Sequence, residues 1–281
     1  MRVRISVLGL LPVGLATVFV AIFLAACGGG GGGGGSAQET PETLGRVSLI
    51  SSYAAKRAWG AMLSSISVTT RSADLPNSEE LRYDQVIRQY YRKYNTSNGG
   101  RVEFYSDSFG QNRTGTLLYS KTIQGTFETL QATLSVSSPK PFSLNITLSG
   151  ERDSTQGQVN IRYEDGITTG QCSMNGSLDV SNPSSWRFAG ELTCTACGLT
   201  VKLRNPSFNP TLGRLAGSVE SFRLQGNVDY NYETDRGQII FTTSRGPMRI
   251  DFNGDQVQVE HSDFQVNFST EQIEEDLANC N

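Results

Sequence analysis

Apolar and polar residues alternate with a period of two over most of the chain after Arg101, and this alternation limits the possible folds most strongly. Successive side chains of a β-strand point to opposite faces, so each alternating segment predicts a strand with one apolar face. The clearest segments are 142–148, 159–163, 172–180, 199–203, 222–230, 248–252 and 264–268. Turn signals such as Asn205-Pro206 and Asn253-Gly254 separate them, which predicts an antiparallel meander.

The meander is flanked by helical patterns. Apolar residues recur at three- and four-residue steps over Pro41–Ile66, which predicts a helix, and alternation over Ile66–Thr70 then predicts a strand. The segment Ser78–Tyr94 fits either a helix or strands. Near the C-terminus, Ser269 and Gln272 have the spacing of a capping box, so a short helix is expected there.

We therefore predict a mainly β protein with short terminal helices. The apolar face of the sheet has to be covered, either by a second sheet in a sandwich or by curling over the N-terminal helix as an open half-barrel. The order of the elements resembles the open half-barrels of bacterial lipoprotein and lipid carriers. This resemblance assigns no functional residue.

The first residues form an export signal. Arg2 and Arg4 precede an uncharged apolar run over Ile5–Ala26, and small residues then lead to Cys27. The sequence Leu24-Ala25-Ala26-Cys27 resembles the lipobox of bacterial lipoproteins. That resemblance implies cleavage before Cys27, lipidation of this cysteine and a place in the cell envelope, at the outer membrane. An acyl chain contributes about 0.8 kcal/mol per buried CH₂, so a multiply acylated cysteine is a stable anchor.

Three regions follow from this organisation. Residues 1–26 are the signal peptide, 27–43 are the lipidated cysteine with a glycine-rich tether that includes Gly28 to Gly35, and 44–281 are one β-rich domain. Poly-glycine has much backbone entropy and no side chain to bury, so the tether is expected to be flexible. The mature chain has 22 basic and 27 acidic residues, a balance without the basic surplus typical of nucleic-acid binding.

The mature domain has an even number of cysteines, which in an oxidising compartment indicates two disulfides. The four are Cys172, Cys194, Cys197 and Cys280. Three pairings are open, and we favour Cys172–Cys194 with Cys197–Cys280. The pair Cys194 and Cys197 forms a C-x-x-C pattern, but a strand pattern rather than a helix follows it, so we expect neither redox nor zinc chemistry.

The sequence contains no recognisable catalytic set. His261 is the only histidine, and the sequence contains no nucleophile motif that a catalytic histidine could activate. Asp251, Asn253 and Asp255 imitate the start of a calcium loop, but the glycine and the final glutamate of such a loop are absent. We therefore expect no metal and no cofactor.

The function predicted from the sequence is a non-enzymatic structural or binding role at the envelope. The membrane is one partner, through the lipid, and an envelope protein, a polysaccharide or a lipid remains open as a ligand. One alternative is a carrier for a lipid or other apolar ligand, and another is an envelope polysaccharide hydrolase. The carrier would line a cavity with Phe142, Leu144, Ile146, Phe222 and Leu224.

Overall fold

A computed structural model of the protein describes residues 41–138, 140–152, 154–165, 172–182, 184–221 and 224–279. Its elements, in chain order, are α1 (Pro41–Asp74), β1 (Ser78–Asp84), β2 (Gln89–Thr96), β3 (Gly99–Tyr105), β4 (Arg113–Gln124), β5 (Phe127–Val136), β6 (Phe142–Glu151), β7 (Gln156–Asp165), β8 (Cys172–Asp179), β9 (Trp186–Ala196), β10 (Leu199–Asn209), β11 (Arg214–Ser221), β12 (Leu224–Asn231), β13 (Arg236–Thr243), β14 (Gly246–Asn253), β15 (Gln256–His261), β16 (Phe264–Ser269) and α2 (Thr270–Ala278).

The strands form one sheet in the described part of the chain. All sixteen follow one another in chain order, and every neighbouring pair is antiparallel. The sheet is open, with β1 and β16 at its edges. The predicted antiparallel meander is therefore confirmed, and its apolar face is covered by a helix instead of a second sheet.

Helix α1 fills the inside of the curled sheet. It contacts β3–β5, β7–β10 and β15, and every residue over 48–56 is buried. A helix that is buried all round needs small side chains wherever the sheet approaches closely. Ala54, Ala55 and Ala58 are fully buried. The buried hydroxyls of Ser51 and Ser65 donate to the carbonyl three residues earlier, at 3.2 and 2.7 Å, so they need no partner from the sheet.

The helix crosses the sheet from its last strands to its first. At the N-terminal end, a Cβ added to Gly45 would lie 2.7 Å from Phe264 Cζ on β16, so the helix backbone packs directly on this ring. At the other end, Lys93 Nζ on β2 donates to the carbonyls of Ala73 and Leu75, at 2.7 and 2.6 Å. These bonds satisfy carbonyls that the end of the helix leaves without intrahelical partners.

The N-terminal helix is longer than the sequence indicates. The predicted strand over Ile66–Thr70 is wrong, because these residues continue α1. Thr69 is fully buried against the sheet, and Thr70 Oγ1 donates to the Ile66 carbonyl at 2.8 Å. Burial thus outweighs the strand preference of β-branched residues. With 34 residues, α1 is not a short helix, and it begins at Pro41, inside the segment 27–43 predicted as tether.

Other local predictions have mixed outcomes. The ambiguous segment Ser78–Tyr94 forms a hairpin of β1 and β2. The predicted turn at Asn205-Pro206 is wrong, because both residues lie within β10. The register of its pairing with β11 shifts at this point. Asn205 has φ 44° and accepts the Gly190 N–H at 3.1 Å, so the pattern marks a bulge instead. The capping box that starts at Ser269 is confirmed.

Candidate functional site

The residues predicted to line a ligand cavity belong to the apolar core. Leu144, Ile146 and Leu224 are 0%, 2% and 6% exposed and share one packed cluster with the side chains of α1. Phe142 is half-buried against the same cluster, and Phe222 lies outside the described residues. Helix α1 therefore takes up the space that a carried ligand would need between these strands.

The cysteines are placed partly as predicted. Cys172 and Cys194 are directly opposite each other on β8 and β9 and form a disulfide, which confirms that pair. Cys197 is also disulfide-bonded. Cys27 and Cys280 lie outside the described residues, so the lipid anchor and the Cys197–Cys280 pairing stay predictions.

The C-x-x-C pattern lies at a tight hairpin. Cys194 is inside β9, whereas Cys197 and Gly198 form the two-residue turn to β10 with φ of 50° and 74°. Two consecutive positive φ values are the geometry of a type I′ turn, which matches the twist of the flanking strands. A redox cysteine pair instead uses a helix N-terminus to lower the pKa of its first thiol.

His261 is buried and contacts its neighbours as a core residue does. Its side chain is 3% exposed, and Nε2 lies 3.2 Å from Thr243 Oγ1. Its ring stacks on Phe264, with 5.7 Å between the centroids. Among the described residues, no group of three or more His, Cys, Asp or Glu side chains is placed to hold a metal ion.

A large concave feature of the described residues is on the outer face of the sheet. This outer groove has a volume of about 1150 Å³ and crosses β2 to β7. Two rows of cross-strand neighbours line it. The first row is Tyr94, Arg101, Leu118, Thr133, Asn145 and Arg162. The second row is Thr96, Ser120, Gln131, Thr147 and Asn160, with Gly99 of β3 between the first two.

The alternation of the strands positions these rows. Leu117, Leu134 and Leu144 point inward and are buried, so their sequence neighbours point outward. Neutral hydroxyls and amides dominate the result. Thr133 Oγ1 donates to Asn145 Oδ1 at 3.1 Å, which orients that amide and leaves its nitrogen to donate elsewhere.

The charges of the groove are paired on the same face. Arg101 Nη2 lies 2.5 Å from Glu103 Oε1, and Arg113 approaches the same oxygen at 3.5 Å. Arg162 Nε lies 3.2 Å from Glu164 Oε1. The groove therefore carries little net charge.

A second polar feature, inside the sheet, is the ionic cluster of Lys56, Arg57, Asp165, Asp235 and Glu274. Lys56 Nζ lies 3.0 Å from Asp235 Oδ1. The ring centroids of Tyr53, Tyr230 and Phe252 are 5.5, 4.6 and 5.0 Å from the ammonium. Burial lowers the pKa of Lys56, and the Asp235 carboxylate offsets part of that effect.

Arg57 extends the cluster to β7 and α2. Its guanidinium lies 3.7 Å from Asp165 Oδ2 and 3.6 Å from Glu274 Oε1. Tyr163 donates to Asp165 and Tyr53 donates to Glu274, both at 2.6 Å. Burial and the neighbouring carboxylates raise the pKa of both phenols, which therefore act as fixed donors. The cluster ties α1 to strands from both halves of the sheet.

Sequence reasoning missed both features for different reasons. The outer rows follow only from the strand register, which the alternation alone does not give. The ionic cluster joins residues more than two hundred positions apart, such as Arg57 and Glu274. One signal was present, since Lys56 and Arg57 interrupt an otherwise uncharged helical stretch.

None of the helices in the described ranges is both long and apolar enough to span a bilayer. Comparisons with protein-family models, with curated proteins and with solved structures found no match.

Proposed function

We propose that this chain is a lipid-anchored protein of the bacterial cell envelope that acts by binding, on the outer face of its sheet. The observation that carries the proposal is the division of space in the domain. The interior is packed with α1, whereas the large groove lies outside, across β2 to β7. A binding protein of this design presents a rigid surface and needs no opening motion.

The anchor of this proposal is Cys27. Its place after small residues, before a run of glycine, supports lipidation and a reach away from the membrane. The experiment is fractionation of bacteria that express the full chain or Cys27→Ala. We expect the full chain with the membranes and the variant in the soluble envelope fraction. Membrane retention of the variant would overturn the anchor.

The two alternatives place different demands on the fold. A carrier of apolar ligands requires α1 to leave the core. That movement would break the ion pairs that Lys56 and Arg57 form with Asp235 and Asp165. A glycoside hydrolase requires two carboxyl groups across a cleft. Among the residues that line the outer groove, Glu103 is the one carboxylate, and Arg101 pairs with it.

A further inference from the structure

We infer that the outer groove binds an extended neutral polysaccharide; this rests on the proposed function and names its ligand class. The first support is shape. The groove crosses six strands, β2 to β7, and neighbouring strands lie ~4.8 Å apart, so it is about 24 Å long. A site of this length fits a chain of several sugars, not a single small molecule.

The second support is the chemistry of the lining. Sugar hydroxyls both donate and accept hydrogen bonds, and the same is true of serine and threonine hydroxyls and of side-chain amides. Gln131, Asn145 and Asn160 supply one amide each from the three neighbouring strands β5, β6 and β7, and all three are exposed. Thr147 on β6, cross-strand to Gln131 and Asn160, adds a hydroxyl.

The third support is a pair of exposed side chains with apolar surface at one end. Tyr94 and Leu118 are 36% and 52% exposed and lie in the first row of the groove, on either side of Arg101. The apolar C–H face of a pyranose ring can stack on such a surface, while its hydroxyls reach the polar rows.

The charge balance sets the class of sugar. Arg101 and Arg162, the two arginines of the first row, are paired with Glu103 and Glu164. An acidic polysaccharide would have to compete with these carboxylates, so a neutral chain is the better fit.

Calorimetry of the full-length protein in a detergent without sugar groups tests this inference. The probes are hexasaccharides of α-1,4-linked glucose, β-1,4-linked glucose and β-1,4-linked N-acetylglucosamine, with a galacturonic acid hexamer as the acidic comparison. We expect saturable binding of at least one neutral hexamer and weaker binding of the acidic one.

Variants on the same face locate the site. Gln131→Ala with Asn145→Ala should weaken binding at least tenfold, and Tyr94→Ala should also weaken it. The matched control is Asn227→Ala, an exposed amide on β12 outside the groove. All four positions are solvent-exposed, and an unchanged thermal unfolding midpoint verifies folding.

Three results would overturn the inference: no binding of any neutral hexamer, preference for the acidic hexamer, or an equal loss in the Asn227→Ala control. Fractionation of the Cys27→Ala variant is independent of all three.

Discussion

Single side chains hold the helix inside the sheet, and Lys56 is the most informative of them. Its ammonium is almost fully buried, whereas its partner Asp235 is half-exposed, with side-chain exposures of 10% and 53%. Aromatic rings provide further stabilisation of the cation. The two members of the pair are therefore unequal, because one of them can be hydrated if the pair is broken and the other cannot.

Substitutions on the two sides of this pair should differ in effect. Asp235→Asn leaves a buried cation without its counter-ion, so the free energy of unfolding should fall by about 1–3 kcal/mol. Lys56→Met keeps the packing of the stem and removes the buried charge, so it should change stability by less than Asp235→Asn does. Urea unfolding measures both variants. An equal or larger loss for Lys56→Met would contradict the assignment.

Glu274 makes the fold sensitive to acid. Burial alone would raise its pKa, but hydrogen bonds from Lys140 and Tyr53 outweigh burial and hold the pKa below its usual value. The stabilisation is therefore present above the unfolded pKa of about 4.3 and is lost as the pH falls through the lower folded value. The stability gap between wild type and Glu274→Gln should be largest near neutral pH and shrink below about pH 4. A gap that stays constant from neutral pH to pH 3 would exclude this role for Glu274.

At the level of the elements, regular patterns were predictable and exceptions were not. Period-two alternation places β6, β7, β8 and β14 correctly, because each strand has one buried face. The end of α1 was not predictable, because Thr69 and Thr70 look like strand residues until the sheet that buries Thr69 is known. The bulge at Asn205 was missed for a similar reason, since Asn-Pro marks a turn when only local sequence is considered.

Gly60 tests how closely α1 fits the sheet. In an isolated helix, Gly→Ala is stabilising by up to about 1 kcal/mol. Here a Cβ at Gly60 would lie 2.4 Å from Tyr232 Cε1, and the Tyr232 hydroxyl is held by the Lys56 carbonyl at 3.0 Å. Gly60→Ala should therefore destabilise the protein by about 1–3 kcal/mol. The loss should be smaller in a Tyr232→Ala background, and a stabilising Gly60→Ala would show that the packing is looser than described.

The disulfide joins β8 and β9 at the strand with the most extensive contacts to α1. It closes a loop with a sequence separation of 22, for which loop entropy contributes about 3 kcal/mol. Cys172→Ala with Cys194→Ala should lower the free energy of unfolding by roughly that amount. Both sulfurs are buried, so the folded wild type should resist mild reductant. Labelling of the thiols released by a mild reductant, with and without urea, measures that protection, and rapid labelling in the folded state would argue against it.

For the whole molecule, one division of space connects fold and function. The sheet curls over a helix of small and apolar residues, and its other face carries two rows of mainly polar side chains across β2 to β7, in which the two arginines are paired with glutamates. The packed interior provides stability, and in our proposal the exterior is the surface for recognition. The sequence alone predicted the sheet and the first disulfide. It left the inside of the sheet open to a ligand, because apolar strand faces look the same whether a helix or a lipid covers them.

Native mass spectrometry of the Cys27→Ala full chain, produced in an oxidising compartment, tests the filled interior most directly. We expect the bare mass of the chain, because α1 occupies the space between the strands. A mass excess that matches a lipid or other apolar molecule and disappears on denaturation would contradict this account and would identify a carried ligand.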